Sequence, residues 1–473
     1  MSSSSSSSTH EESSSLSPED FLKAAGKLSS DPNQRLQEPT RKAIDSGKAI
    51  IDVHCHLFDR KTINIRYLLK RLGELLDDGR DWQDWVKVIK GSAKVLTESR
   101  LLDPGTGSDW DSTTEQEWKH LIHDLKELWE DPNNDEFDVG EILKHLKIVL
   151  ANDMEGIYKY YKRKFSLTSK AYKPLKLQRQ KMVITALMMD LEQGWMNGTE
   201  APRPITQVVD DLLELAQNYP VLPYFAVDPR RADLEGDKNL YALFLRAFPE
   251  EGPSFFGVKV YPALGYLPSD HRLDPIFQIC EAKGIPVLTH CGGSIIHSSL
   301  QPLEAYRGHD EVTFDGSPEE NAEQLNDPSE WLPVLKKYPN LRLNLAHFGT
   351  VSEWEGYDPD EDEDHIPVPE MEVPETRLSR PAVIRRMCTH FDHVYTDFAF
   401  SLVEPHVYSK LEQALKNDPK LAKRMLYGTD FWVAIPSGDL VMAQIDFLDH
   451  FEDRKLDFLR HNPLRYLLGE DPK

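Results

Sequence analysis

The sequence predicts an α/β chain folded as a (β/α)8 barrel of the TIM type, and three observations carry that prediction. About eight short apolar runs alternate with stretches of helical periodicity from residue 50 onward. Polar residues able to bind metal or move protons close several of those runs, where such barrels carry their chemistry. No glycine-rich nucleotide fingerprint follows the first run, which weighs against an open doubly wound sheet.

The chain opens with a serine-rich tract, 1–16, with almost nothing to bury, and a disordered tail is expected there. Ser17 and Pro18 mark a helix start, serine as cap and proline at the first helical position. The run 49–56 is the first strand. If it alternates regularly, Asp52, His54 and His56 share one face and Cys55 points the other way. Two imidazoles at one strand end can reach a single divalent metal. The interval 59–176 has helical spacing, as in Leu68, Leu72 and Leu75 or Trp118, Leu121 and Leu125, and is expected to be a helical insertion. His120 and His123 within it are read as core or surface residues.

Regular alternation starts at 181. Strands are expected at 182–188, 222–227, 255–260, 286–290, 341–347, 394–397 and 424–430. Helical sequence follows each, at 205–217, 240–248, 273–282, 330–337, 381–387, 405–415 and from 440 to the end. An acidic, proline-bearing loop insertion, 355–377, follows the sixth strand. Its run from Asp358 to Asp364 lacks the glycine and spacing of a calcium loop and reads as solvated charge. One barrel domain over 17–473 accommodates both insertions.

Composition narrows the function. With 79 acidic against 55 basic residues the formal charge is −24, which repels nucleic acid over most of the surface. No run is long and apolar enough for a signal peptide or a membrane span. Four cysteines without paired spacing read as reduced thiols. A soluble cytoplasmic protein acting on a small molecule is expected, with homo-oligomerisation left open.

The candidate site follows from the strand ends. His54 and His56 close the first strand, Lys259 lies on the fourth, His290 on the fifth, His347 on the sixth and Asp430 on the eighth. Burying each at the end of an apolar run is costly without a partner, and a shared cation is the economical one.

The pieces around these residues are Asp52-Val53-His54-Cys55-His56, Gly257-Val258-Lys259-Val260, Thr289-His290-Cys291-Gly292, Ala346-His347-Phe348-Gly349 and Gly428-Thr429-Asp430-Phe431. With the closing Asn462-Pro463-Leu464-Arg465, they resemble the amidohydrolase superfamily, in the amidohydrolase-related branch that contains aminocarboxymuconate-semialdehyde decarboxylase. The resemblance implies a divalent metal, usually zinc, held by His54, His56, His290 and Asp430, with one ion favoured and two possible. It implies that His347 is either a catalytic acid–base or the ligand of a second metal. Lys259 is either a carboxylated bridge between two metals or a substrate contact. Asp430 would also exchange a proton with metal-activated water, whose pKa zinc lowers to about 7. The expected reaction is hydrolysis of an amide, ester or lactone. The alternative is non-oxidative decarboxylation of a small carboxylic acid, and a barrel reduced to a scaffold stands third. Asp397, after the seventh strand, is a candidate to orient a histidine, and Arg307 to bind a substrate carboxylate. Tyr261, Tyr266, Phe431 and Trp432 flank the ligand strands and are candidates to line the pocket. Cys55 and Cys291 adjoin ligands but are expected to face the core.

Overall fold

Eight strands pair in parallel, in chain order, as the alternating pattern requires. They are β1 (Ala49–His56), β2 (Lys181–Leu187), β3 (Val221–Val227), β4 (Gly257–Val260), β5 (Val287–Thr289), β8 (Leu343–Leu345), β9 (Val394–Asp397) and β10 (Met425–Leu426). The two ends of the row meet. The Val53 amide donates to the Tyr427 carbonyl at 3.0 Å, and the Asp430 amide to the His54 carbonyl at 2.8 Å. The chain is therefore a (β/α)8 barrel. It is described here from a computed structural model covering residues 15–57, 59, 62, 152–196, 198, 201, 203–294, 296–360, 366–399, 404–431 and 439–469. Most of the expected tail, most of the helical insertion with His120 and His123, residues 361–365 of the acidic insertion, and Trp432 lie outside the described residues.

Two apolar layers hold the barrel. The inner one joins Ile51, Val53, Val183, Leu222, Tyr224, Phe256, Leu288 and Leu426, and is plugged by Ala43, Tyr466 and Leu467. Those plugging residues come from helices Glu38–Asp45, just before β1, and Asn462–Leu468, the last, so these two helices close the end opposite the site. The outer layer packs amphipathic helices against the strands, for example Val208, Val209, Leu212 and Leu215 of Ile205–Asn218. Among the described residues no helix is long and apolar enough to cross a membrane.

Three features depart from the simple reading. Between β5 and β8 an antiparallel hairpin, β6 (Leu303–Arg307) with β7 (Asp310–Phe314), stands outside the barrel sheet. The expected sixth strand, 341–347, stops at Leu345 and turns, because His347 and Phe348 take positive φ angles of 72° and 50°. The third departure lies in β1. Asp52 pairs with Ile184 while Cys55 pairs with Ala186, so β1 spends three residues where β2 spends two. That is a β-bulge.

The bulge corrects the expectation that Asp52 shares a face with the histidines. Ile51 and Val53 point into the inner layer, so Asp52 between them points outward. The extra residue then resets the alternation. Cys55 packs in the outer layer with Cys291, as expected.

Candidate active site

The C-terminal ends of the barrel strands bring His54, His56, Lys259, His290, His347, Asp397 and Asp430 together, all of them buried. The histidines of β1 are oriented by what their Nδ1 atoms touch. His56 Nδ1 lies 3.1 Å from the Leu187 carbonyl, and His54 Nδ1 lies 3.3 Å from Asp397 Oδ2. Both partners only accept, so each Nδ1 carries the proton and each Nε2 keeps its lone pair. Both lone pairs face Asp430, at 4.0 Å from His54 and 3.9 Å from His56. Potential ligand atoms of His54, His56 and Asp430 lie within 4.8 Å of one another, and those of His54, His347 and Asp397 form a second such group.

His290 belongs to neither group. Its Nδ1 meets His347 Nε2 at 2.9 Å, and its Nε2 lies 3.1 Å from the Gly293 carbonyl. His347 Nδ1 in turn faces the Ala399 carbonyl at 3.2 Å. Three contacts in this row each need a proton, one more than two neutral rings carry. The row thus has a place for an additional proton.

Burial sets the charges. It pushes His54, His56 and His290 well below the ordinary histidine value, and His347 downward against the opposing pull of Asp397. Neutral imidazoles are the form that binds metal. Burial raises the Asp430 carboxyl to about 7, with Lys259 pulling the other way. Burial also lowers Lys259 to about 8. The Lys259 ammonium, 5.4 Å from the Tyr261 ring centre, makes no hydrogen bond among the described residues. Neither do His54 Nε2 and Asp430 Oδ1.

Around this centre, Asp397 accepts from Asn344 Nδ2 at 2.7 Å and from the His347 and Ala399 amides at 3.1 Å each. It therefore touches both His54 and the turn that carries His347. Tyr261 stacks on His290 with ring centres 4.4 Å apart, and its hydroxyl meets Ser294 Oγ at 2.8 Å. Tyr266 is committed to structure. Its hydroxyl accepts from the Tyr261 amide and donates to the Val227 carbonyl. Phe431 packs against the rings of Tyr161 and Phe165. Arg307 is not gathered into the cluster; it lies on the hairpin and pairs with buried Glu330. Asn344 is not among the residues singled out from the sequence, although it is a polar interruption of the apolar run Leu343-Asn344-Leu345.

Gly428 lies where β10 passes β1. A Cβ there would come within 2.6 Å of His54 Cβ and 3.1 Å of Ala399 Cβ. Gly428→Ala is expected to displace His54 and cost about 1–3 kcal/mol, as overpacking does. Denaturant unfolding at unchanged m-value measures it.

The amidohydrolase family model matches residues 193–467, more than half of the sequence. The chain belongs to the amidohydrolase family. This amidohydrolase has no match among the curated proteins. Among solved structures it resembles an uncharacterised TIM-barrel protein of Bordetella bronchiseptica, at 14% identity, covering 89% of this chain and 100% of that one, TM-score 0.42. It also resembles 5-carboxyvanillate decarboxylase of Sphingomonas paucimobilis, at 11% identity over 89% and 99%, TM-score 0.39. A zinc-bound amidohydrolase of Burkholderia multivorans is 14% identical over 63% and 87%, TM-score 0.37. The strand order of the chain itself, rather than these likenesses, establishes its barrel.

The amidohydrolase is thus an enzyme of a metal-dependent superfamily, and its residues fit a divalent cation. Two imidazoles kept neutral by burial and one carboxylate converge, with His54 Nε2 and Asp430 Oδ1 without a hydrogen bond among the described residues. The family match begins after β2, so the His54–His56 pair lies outside the matched stretch. Its membership of the site comes from barrel closure.

Proposed function

We propose that the protein is a metal-dependent hydrolase that cleaves an amide, ester or lactone of a small, anionic substrate. The observation that carries the reading is the convergence of His54, His56 and Asp430, with lone pairs directed at one another and burial keeping the histidines neutral. A zinc ion held by these three residues would supply Lewis acidity and bring the pKa of water to about 7. Asp430, beside that ion, would take a proton from the water and return it to the leaving group. The His347–His290 row can receive one at His347 or His290. Lys259, buried and without a hydrogen bond among the described residues, suits an anionic group of the substrate. Four buried free cysteines accord with a reducing, cytoplasmic setting.

The same proton place in the His347–His290 row supports a second reading, non-oxidative decarboxylation, in which a carbon must be protonated after carbon dioxide leaves. Elemental analysis of the purified protein and parallel substrate panels separate the readings. Hydrolysis predicts bound metal and acid released from esters, amides or lactones. Carbon dioxide from small carboxylic acids would favour the lyase, and absence of metal that addition cannot restore would sink both.

Metal affinity should depend on pH through Asp430. Only the ionised carboxylate ligates, so a proton competes below its value of about 7. Apparent zinc affinity is expected to fall about tenfold per pH unit below pH 7 and to level off above it. In the metal-free protein the sign reverses. A carboxyl raised on folding contributes stability that is full below its unfolded value and lost as pH rises through about 7. Chelator competition across this range, beside melting of metal-free protein, checks both; a flat affinity profile would remove Asp430 from the ligand set.

A further inference from the structure

We propose that helix Met154–Lys164, the last α-helix before β2, is a positioning element of the site. Through Tyr161 and the following Phe165 it holds Asp430 in a left-handed backbone conformation. The inference rests on the reading of Asp430 as a metal ligand. Asp430 has φ +45°, a region that side-chain-bearing residues rarely occupy unless their surroundings hold them there. Its surroundings do so from three directions. Its own amide donates to the His54 carbonyl at 2.8 Å.

On one side, Thr429 is tied to Asp52. The Thr429 amide donates to Asp52 Oδ1 at 3.0 Å and its hydroxyl to Asp52 Oδ2 at 2.6 Å. The same carboxylate accepts the His54 amide at 3.1 Å and the Tyr161 hydroxyl at 2.8 Å. Because the bulge turns Asp52 outward, this carboxylate meets the helix and not the metal cluster. On the other side, Phe431 packs against Tyr161, ring centres 5.0 Å apart, and against Phe165 at 5.6 Å. Tyr161 thus reaches both chain neighbours of Asp430, Thr429 through Asp52 by its hydroxyl and Phe431 directly by its ring. Asp52 is wholly buried and has four donors, so losing the Tyr161 hydroxyl leaves one lone pair unmet in a place water does not reach. The helix therefore adjusts the carboxylate of Asp430 relative to His54 and His56 without contacting substrate or metal.

The test uses the full chain with Tyr161→Phe, Phe165→Leu and, as a control, Tyr241→Phe, whose hydroxyl donates to the Arg272 carbonyl far from the site. Cobalt(II) is the probe, read by chelator competition and by its visible absorption. Tyr161→Phe and Phe165→Leu are each expected to weaken cobalt binding about 10–100-fold, as loss of an outer partner of a ligand does, and to alter the spectrum. Tyr241→Phe is expected to lower the melting temperature only. Hydrogen exchange of the Thr429 and Asp430 amides in metal-free protein should be faster in the two site variants. Wild-type affinity, spectrum and exchange in both variants would overturn the proposal, whatever their melting temperatures. A wild-type protein that binds no cobalt would sink the proposed function; the exchange comparison would still decide this inference, faster supporting it and unchanged overturning it.

Discussion

His54→Ala is expected to abolish metal binding and turnover together. His54 is the one residue common to both groups of converging ligand atoms, and it touches Asp397 through Nδ1 and faces Asp430 through Nε2. Alanine removes a ligand and leaves Asp397 with an unmatched lone pair in a buried place. It also leaves Asp430 without one of its two imidazole neighbours. Metal content by elemental analysis should fall below about a tenth of the wild-type value, with activity lost in proportion. Retention of one full equivalent of metal would remove His54 from the ligand set. Circular dichroism keeps the result interpretable, because the inner layer of β1 is built from Ile51 and Val53 and does not use the imidazole.

His347→Ala is expected to separate the two properties. His347 contacts His290, Ala399 and, through its amide, Asp397, and its ring centre lies 4.8 Å from that of His54. It stands outside the His54–His56–Asp430 group. If it moves protons, its loss should cut turnover by about 10²–10⁴-fold while most of the metal stays. The remaining activity should lose one limb of its pH profile. Loss of one of two metals in this variant would instead make His347 a ligand of a second ion. The turn at His347, with φ +72°, is a place where alanine is also strained, so the backbone change adds little to the difference between the two side chains.

The barrel itself was legible in the chain. Apolar runs such as 222–227 and 255–260, with helical sequence after each, specify parallel strands buried on both faces, and the polar residues that end several such runs mark the catalytic end. Local patterns carry this information because period and length belong to each element separately. The hairpin 303–314 was not legible, since its short, mostly polar strands bury little.

Within the site, the sequence determined which side chains could come together, and only the tertiary structure decided how they face. A regular strand would set Asp52 beside His54 and His56. One extra residue in the β1–β2 pairing turns it outward, and register is a property of two strands, not one. The proton positions of His54 and His56 depend on Asp397 and Leu187, which lie 343 and 131 residues away in sequence. The link from Tyr161 through Asp52 to Thr429 spans 109 and then 377 residues. No local period encodes such contacts. They arise when closing the barrel brings β10 against β1 and leaves buried donors and acceptors that must be matched.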